Sequence, residues 1–202
     1  MADSHRDDPI TGAVIAGGSG RRMGADKRVL AVDGVPMLRR VLEAVASVAD
    51  DLVVSCRSDA PPPSSVLDSL GARLVFDARH DRAPLVGVEA VLRAARGEIV
   101  LVVAGDLPWV EPAVLRLLVD EARGHPGVGA VAIGTDWGPQ PLLAAYRRRS
   151  LAAATRLLDA GDLRMRAFLA TLDVRVIPPE TWHRADPSGR SAVNANAPAD
   201  LA

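Results

Sequence analysis

The sequence predicts a three-layer α/β fold built around a mainly parallel sheet. Short apolar runs bounded by Gly, Asp or Pro alternate with stretches whose apolar residues recur at helical spacing. Unbroken apolar runs of this length are typical of strands that are buried on both faces. Strands that alternate with helices favour a parallel sheet with right-handed crossovers. The predicted strands are Ala13 to Ala16, Leu52 to Ser55, Arg73 to Phe76, Ile99 to Val103 and Gly129 to Ile133.

Four helices are predicted among these strands. The clearest is PMLRRVLEAVASVA, in which Pro36 suits the first turn and apolar residues such as Leu38, Val41 and Val45 form one stripe. Similar stripes mark Leu85 to Ala95, Pro112 to Ala122 and Leu151 to Leu158. Ligands of such folds bind beyond the carboxyl ends of the strands. We therefore expect the functional residues in the loops that follow strands.

Length and composition describe one globular domain. The chain has 202 residues, 49% of them hydrophobic and 24% charged, with a formal net charge of -1. We expect a flexible tail over residues 1–10 and one domain over residues 11–202. The near-neutral charge argues against nucleic acid as a partner. The polar start and the lack of long apolar runs argue against a membrane partner and favour a cytoplasmic protein. One cysteine and four scattered histidines argue against zinc or iron–sulfur sites.

The stretch AGGSGRRMGADK, residues 16–27, follows the first predicted strand and is a candidate phosphate-binding loop. Its early glycines permit close approach of main-chain N–H groups to an anion. A P-loop is excluded because Arg28 stands where a hydroxyl residue should follow the lysine. A dinucleotide-binding fingerprint is excluded because its third glycine would fall one residue before Gly24.

Three cations lie along this loop: Arg21, Arg22 and Lys27. Lys27 is the only lysine among the 24 basic residues of the chain. A lysine kept in an arginine-rich composition indicates a position where a compact ammonium group is needed rather than the planar guanidinium group of arginine. A bound polyphosphate would provide such a place, and the alternative is a solvated basic turn.

Two further motifs carry candidate metal ligands. Asp106 follows the fourth predicted strand, where a carboxylate beside a phosphate-binding loop indicates a Mg²⁺ site or else a turn aspartate. The only asparagines of the chain, Asn194 and Asn196, stand two positions apart near the C-terminus. Residues two apart on an extended segment point the same way, so both amides could face one site. The alternative is that one of them caps a last helix.

Together these motifs resemble the molybdenum cofactor guanylyltransferases, a family of nucleotidyltransferases. The resemblance rests on AGGSGRRMGADK, on AGDLP, on APLVGV and on NANAPADL, and it runs from about Ala13 to Leu201. The order of two glycines, Arg-Arg-Met-Gly and Asp-Lys is far more specific than a bare glycine loop. The resemblance implies a single three-layer, Rossmann-like nucleotidyltransferase domain.

The resemblance also implies an activity and its residues. The expected reaction transfers GMP from GTP to the phosphate of molybdopterin, with or without molybdenum, and releases pyrophosphate with the help of Mg²⁺. The catalytic residues would be Lys27, Arg22 and Asp106, and the metal ligands Asp106 and Asn196. Transient contact with molybdoenzymes or their chaperones is implied as well. The nucleotide-binding residues would be Ala16, Gly17, Gly18, Ser19, Gly20, Arg21, Arg22, Lys27, Asp77 and Asp106.

The acceptor and the base are less strongly indicated. Candidate acceptor-binding residues are Gln140, Arg164, Arg166 and Asn194, although the arginines could also be a solvated helix face. The family's glycine before Pro84 is an alanine here, and the asparagine expected at the end of the second strand is replaced by Cys56-Arg57. Asp77 follows the third strand and matches an aspartate of the family, so the resemblance implies a carboxylate that accepts from N1–H and N2–H₂ of guanine and favours guanine over cytosine. The alternative is that Asp77 is a turn residue.

Two other classes of function stay open. A sibling enzyme could transfer cytidylate to the same acceptor, or a nucleotidyl group to a sugar phosphate. A non-catalytic nucleotide-binding accessory protein could share the fold. No Ser-His or Cys-His pairing is evident in the motifs, so direct in-line displacement is favoured over a covalent enzyme intermediate.

Overall fold

A seven-stranded sheet forms the centre of the molecule, for which a computed structural model describes residues 9–17, 30–67 and 70–195. The strand order is β5-β4-β1-β6-β8-β7-β9. The strands are β1 (Ile10–Ile15), β4 (Asp51–Cys56), β5 (Arg73–Phe76), β6 (Ile99–Ala104), β7 (Ala130–Thr135), β8 (Gly138–Arg147) and β9 (Val174–Ile177). A separate hairpin joins β2 (Ala31–Val32) and β3 (Val35–Pro36).

The sheet is mainly parallel, as the sequence predicts. Among the described strands of this sheet, only β8 runs antiparallel to its neighbours, β6 and β7. At the centre, Ile15 of β1 pairs with Ser55 of β4 on one side and with Ala104 of β6 on the other. The carboxyl ends of β4, β1 and β6 therefore lie side by side at one edge.

Helices cover both faces of the sheet. They are α1 (Met37–Ala46), α2 (Ser64–Leu67), α3 (Pro84–Ala94), α4 (Pro112–Gly124), α5 (Leu151–Asp159), α6 (Met165–Ala170) and α7 (Pro179–Trp182). Apolar residues of α1, α2, α4 and α7 pack on one face, and those of α3, α5 and α6 pack on the other. Strand β6 serves both layers, because Leu101 and Val103 face the first and Val100 and Val102 face the second. No helix in the described ranges is long and apolar enough to cross a bilayer.

In the seven-stranded sheet, the structure adds two strands, β8 and β9, to the five that the apolar runs predict. Strand β8 begins with GPQP, and the two prolines in this stretch weaken its strand pattern. Strand β9 is a four-residue segment at the sheet edge, VRVI, and its Arg175 and Val176 are exposed. The predicted helices are all present, with ends that differ by a few residues. The short helix α6 and the hairpin between β7 and β8 become important for the site.

Candidate active site

The loops after β1 and β6 meet at the centre of the carboxyl edge. The backbone N–H of Gly105 donates to the carbonyl of Ile15 at 3.0 Å. A Cβ atom on Gly105 would stand 3.1 Å from that carbonyl oxygen and 3.6 Å from Cα of Ala16. The close approach therefore favours a glycine. It places the loop that carries Asp106 beside Ala16, where the candidate phosphate-binding loop begins.

Asp106 is joined directly to the C-terminal asparagine motif. Nδ2 of Asn194 donates to Oδ1 of Asp106 at 2.8 Å. The backbone N–H of Ala195 donates to the carbonyl of Asp106 at 2.9 Å. These contacts link residues 88 positions apart. They leave Oδ2 of Asp106 without a hydrogen-bond donor among the described residues.

The segment that carries Asn194 is fixed to the loop after β6 by further contacts. The Arg190 guanidinium stacks over the Trp109 ring, 3.9 Å from the ring centroid. The Ser191 hydroxyl accepts the backbone N–H of Glu111 at 3.1 Å, and Ser191 is buried. The backbone N–H of Ser191 in turn donates to Asp186 at 2.7 Å. The hydrogen bond between Asn194 and Asp106 thus lies at the end of an anchored segment.

Asp77, the predicted base contact, lies just past β5 and close to the start of the glycine loop. Its Oδ1 accepts a 2.6 Å hydrogen bond from the hydroxyl of Ser55, which is fully buried in β4. Its Oδ2 lies 3.6 Å from the position that a Cβ on Gly17 would occupy. Burial raises the pKa of the Asp77 carboxyl, and the Ser55 hydrogen bond and the Arg57 charge partly oppose this rise.

An ion-pair cluster ties the loop after Asp77 to two helices. Arg79 donates to the buried Glu89 of α3 through Nε at 2.8 Å and Nη2 at 3.1 Å, and to Asp159 of α5 at 2.7 Å. Glu89 also accepts hydrogen bonds from Thr155 at 2.8 Å and from Arg93 at 3.1 Å. This arrangement lowers the pKa of Glu89 from 4.5 to about 2, with the Arg79 hydrogen bonds as the largest cause. The loop that carries Asp77 is therefore anchored within two residues of the carboxylate.

A cavity of about 660 Å³ opens between the β7–β8 hairpin and the start of α6. Its hairpin side includes Gln140 and Trp137, and the Trp137 side chain is 87% exposed. Its helix side includes Arg164 and Arg166. Arg166 donates to the carbonyl of Trp137 at 3.4 Å, and Arg164 forms a two-point ion pair with Asp162 at 2.9 and 2.7 Å. Because β7 ends and β8 begins at the carboxyl edge of β6, this cavity lies on the same side of the sheet as Asp106.

The donor atoms at Asp106 fit a magnesium ion that is held mostly by substrate. Oδ2 of Asp106, which accepts no hydrogen bond from the described residues, is a hard ligand of the kind that Mg²⁺ binds. Mg²⁺ is commonly held by one or two carboxylates with substrate phosphates and water. No group of three or more Asp, Glu, His or Cys side chains able to bind a metal occurs in the part of the chain that the structure describes. A single carboxylate of this kind fits a metal ion whose other ligands come from a substrate and water.

The structure places the predicted site residues in two groups. Ala16, Gly17, Asp77, Asp106 and Asn194 lie along the carboxyl ends of β1, β5 and β6. Gln140, Arg164 and Arg166 line the cavity, whereas Asn194 contacts Asp106 instead. Several predicted residues lie outside the described ranges: Gly18, Ser19, Gly20, Arg21, Arg22, Lys27 and Asn196.

Three features of the site were not predicted from the sequence. These are the Ser55 hydroxyl, the Arg79–Glu89 cluster and Trp137. Trp137 gave the clearest signal, because a tryptophan between Asp136 and Gly138 stands in a turn sequence where burial is unexpected. Ser55 and Glu89 gave none, because their partners are 22 and 10 residues away in the chain.

The fold and the carboxyl edge of its sheet together define an α/β domain with a candidate metal ligand at Asp106 and an adjacent cavity. Residues 12–176 match the model of the MobA-like NTP transferase domain. The chain therefore belongs to this family of nucleotidyltransferases.

Relatives and solved structures agree with this assignment. The chain is 37% identical over 170 residues to a probable molybdenum cofactor guanylyltransferase of Natronomonas pharaonis, with 83% of each chain covered. It is 33% identical to the molybdenum cofactor guanylyltransferase of Desulfosudis oleivorans, covering 96% of this chain and 93% of that one. The crystal structure of molybdopterin-guanine dinucleotide biosynthesis protein A from Archaeoglobus fulgidus superposes with a TM-score of 0.80 at 30% identity, covering 95% and 94%.

Proposed function

We propose that the protein is a molybdenum cofactor guanylyltransferase, which transfers GMP from GTP to the phosphate of molybdopterin and releases pyrophosphate. The names of its relatives and of the Archaeoglobus fulgidus structure support the assignment. The observation that carries it is the placement of two carboxylates, Asp77 and Asp106, on either side of Gly17 at one sheet edge. A cytoplasmic reaction that draws on the GTP pool is part of the same proposal.

Asp77 supplies the preference for guanine. Guanine presents N1–H and N2–H₂ as adjacent donors, and a carboxylate is an acceptor for both. Cytosine presents a single amino donor beside two acceptors, and a carboxylate next to those acceptors is unfavourable. The Asp77 carboxyl is partly buried and receives the Ser55 hydrogen bond, so it is already fixed before a base arrives. We therefore expect GTP to be used in preference to CTP.

Asp106 supplies the metal-binding carboxylate. Its Oδ1 accepts the Asn194 amide, which leaves Oδ2 for the metal ion. When bound, Mg²⁺ would neutralise the charge that develops on the departing pyrophosphate. Asn194 acts here as the group that orients Asp106. The roles of Lys27 and Arg22 on the triphosphate, and of Asn196 on the metal, remain predictions from the sequence.

The transfer itself requires positioning more than proton chemistry. An oxygen of the acceptor phosphate forms a bond to the α-phosphorus of GTP, and the bond from that phosphorus to the bridging oxygen of pyrophosphate breaks. The acceptor is a phosphate monoester, which is already anionic near neutral pH and needs no strong general base. The main requirement is to hold two anions in line, which fixed cations and dipoles can meet.

The cavity between the β7–β8 hairpin and α6 is our candidate for the acceptor subsite. Trp137 offers a planar apolar surface, and Arg164 and Arg166 offer positive charge beside Gln140. A pterin is a planar heterocycle with donors and acceptors at its edge, so it suits such a combination of indole, guanidinium and amide. Any protein that receives the finished cofactor, a molybdoenzyme or its chaperone, would approach this side.

The decisive experiment is turnover with defined substrates. Purified protein, Mg²⁺ and molybdopterin are incubated with GTP or CTP, and pyrophosphate and the dinucleotide product are measured. We expect a dinucleotide containing GMP, with kcat/KM for GTP at least tenfold above that for CTP. A preference for CTP, or transfer to a sugar phosphate instead, would contradict the proposal. Nucleotide binding without pyrophosphate release would indicate an accessory protein.

A further inference from the structure

Ser55 stands out among the buried polar side chains because it lies directly beneath the proposed base contact. It belongs to β4, pairs with Ile15 of β1 and Val75 of β5, and is fully buried. A buried serine within a strand must satisfy its hydroxyl or lose stability. This one donates to Oδ1 of Asp77 at 2.6 Å, across the end of β5.

The hydrogen bond selects one orientation of the carboxylate. With Oδ1 directed at Ser55, Oδ2 lies toward the start of the glycine loop, 3.6 Å from the position of a Cβ on Gly17. The backbone N–H of Asp77 donates to the carbonyl of Cys56 at 3.0 Å, which fixes the main chain at the same point. Backbone and side chain of Asp77 are thus both held by the end of β4.

Helix α3 leaves room for this hydroxyl through a glycine. A Cβ on Gly87 would stand 3.0 Å from Oγ of Ser55 and 3.1 Å from Cγ2 of Ile15. Both neighbours are part of the central sheet, so a side chain at position 87 would have to displace one of them. Gly87 therefore allows the first turns of α3 to pack against the sheet without moving the Ser55 hydroxyl.

We propose that Ser55 is a positioning residue for base selection, which holds Asp77 so that it accepts from both donors of guanine. The proposal rests on the proposed function, in which Asp77 contacts the base. It assigns specificity to a side chain that does not touch the nucleotide, and it gives Gly87 a role in maintaining that specificity. A freely rotating carboxylate could still meet one donor, but it would not be aligned with two.

The test compares GTP with ITP, whose base keeps N1–H but lacks the N2 amino group. Equilibrium binding of each nucleotide with Mg²⁺ is measured without acceptor, so the result does not depend on acceptor identity. Ser55→Ala should weaken GTP binding about tenfold, the effect of losing one well-made hydrogen bond to a charged group, and should leave ITP much less affected. In turnover assays the change should appear in KM for GTP rather than in kcat.

Two further variants separate positioning from loss of structure. Gly87→Ala should reproduce the Ser55→Ala effect, and the double variant should be no worse than either single one, because both disturb the same hydroxyl. Ser150→Ala is the matched control: its buried hydroxyl donates to the carbonyl of Gly129 at 3.0 Å, at the opposite edge of the sheet. Ser150→Ala should leave the ratio of GTP to ITP affinity unchanged, while it lowers the melting temperature about as much as Ser55→Ala does.

The outcomes distinguish this proposal from the proposed function. If the unmodified protein does not prefer GTP to ITP, or if Asp77→Asn keeps the preference, then Asp77 does not contact guanine as proposed. If Asp77→Asn removes the preference but Ser55→Ala retains it, the role of Ser55 is refuted while the role of Asp77 stands. If Ser55→Ala and Ser150→Ala reduce the ratio of GTP to ITP affinity equally, the positioning role of Ser55 is likewise refuted.

Discussion

Replacement of Glu89 by glutamine tests whether the ion-pair cluster next to the loop that carries Asp77 stabilises the fold. The Glu89 side chain is only 5% exposed and accepts hydrogen bonds from Arg79, Arg93 and Thr155. Glutamine keeps the shape but removes the charge, and it turns an amide N–H₂ toward a guanidinium that has only donors. Arg79 is then left with Asp159 as its remaining partner in this cluster.

The size of the effect follows from the pKa of Glu89. A carboxyl pKa lowered from 4.5 to about 2 means that the folded protein stabilises the charged form. At about 1.4 kcal/mol for each tenfold change in acidity, the contribution to folding at neutral pH is roughly 3 kcal/mol. For a chain of this size, such a loss corresponds to a decrease in melting temperature of about 6–12 °C. With a urea m-value of about 2 kcal/mol/M, the midpoint would fall by about 1.5 M.

The sign of the pH dependence gives a second test. Because the pKa is lower in the folded state, the stabilisation is fully present above pH 4.5 and is lost as the pH falls toward 2. The difference between the unmodified protein and Glu89→Gln should therefore be constant from pH 6 to 8. It should shrink below the ordinary carboxyl pKa and reach less than half of its neutral value near pH 3.

Urea denaturation followed by circular dichroism measures this difference. The matched control is Glu98→Gln, which removes the same charge from an exposed pair with Arg148 at 3.2 Å. Exposed pairs contribute about 1 kcal/mol or less, so the control should change the midpoint very little. The reasoning is refuted if the two glutamine variants lose equal stability at pH 7. It is also refuted if the deficit of Glu89→Gln does not decrease in acid.

Three further predictions concern the site. Asp77→Asn should bind GTP at least tenfold more weakly, yet it should unfold at a higher temperature at pH 7, because the raised pKa of Asp77 means that its charged form destabilises the fold above that pKa. Titration calorimetry measures the GTP affinity and scanning calorimetry the melting temperature, and a lower melting temperature would contradict the argument. Asp106→Ala should abolish Mg²⁺-dependent pyrophosphate release while changing the free energy of unfolding by about 1 kcal/mol; unchanged turnover would remove the proposed metal ligand. Trp137→Ala should raise KM for molybdopterin about tenfold and leave GTP affinity and melting temperature unchanged, since the side chain is 87% exposed; an unchanged KM would place the acceptor elsewhere.

The fold was predictable from the sequence where a strand is an apolar run or where a helix buries one apolar stripe. Strands β1, β4, β6 and β7 are buried apolar runs, whereas β5 is a partly exposed strand at the sheet edge. Apolar residues of α1, α3, α4 and α5 pack on the sheet at helical spacing. Strand β8 escaped prediction because its first residues, GPQP, lie in a hairpin and lack a strand pattern. Its pairing with β6 and β7 depends on tertiary contacts that no local pattern encodes.

The arrangement of the candidate site was predictable only in part, for a related reason. Asp77 and Asp106 could be selected because acidic residues directly after buried strands are placed at the ligand-binding edge of a parallel sheet. Ser55 could not be selected, because a serine within a strand differs little from any other small residue until Asp77 is seen 2.6 Å away. The contact of Asn194 with Asp106 joins residues 88 positions apart, which the paired asparagines alone do not specify.

The strand order explains why these distant residues lie along one edge of the sheet and form one candidate site. Along the carboxyl edge, β5 brings Asp77, β4 brings Ser55, β1 brings Gly17 and β6 brings Asp106, and the β7–β8 hairpin follows with Gln140. Three strand spacings separate β5 from β6, which is roughly 14 Å. That span suits a nucleotide whose base lies at Asp77 and whose phosphates reach Asp106, with the acceptor entering from the hairpin side. The same order predicts that changes at β5 alter nucleotide affinity, whereas changes at the hairpin alter acceptor affinity, and that only changes near β1 and β6 alter the transfer step itself.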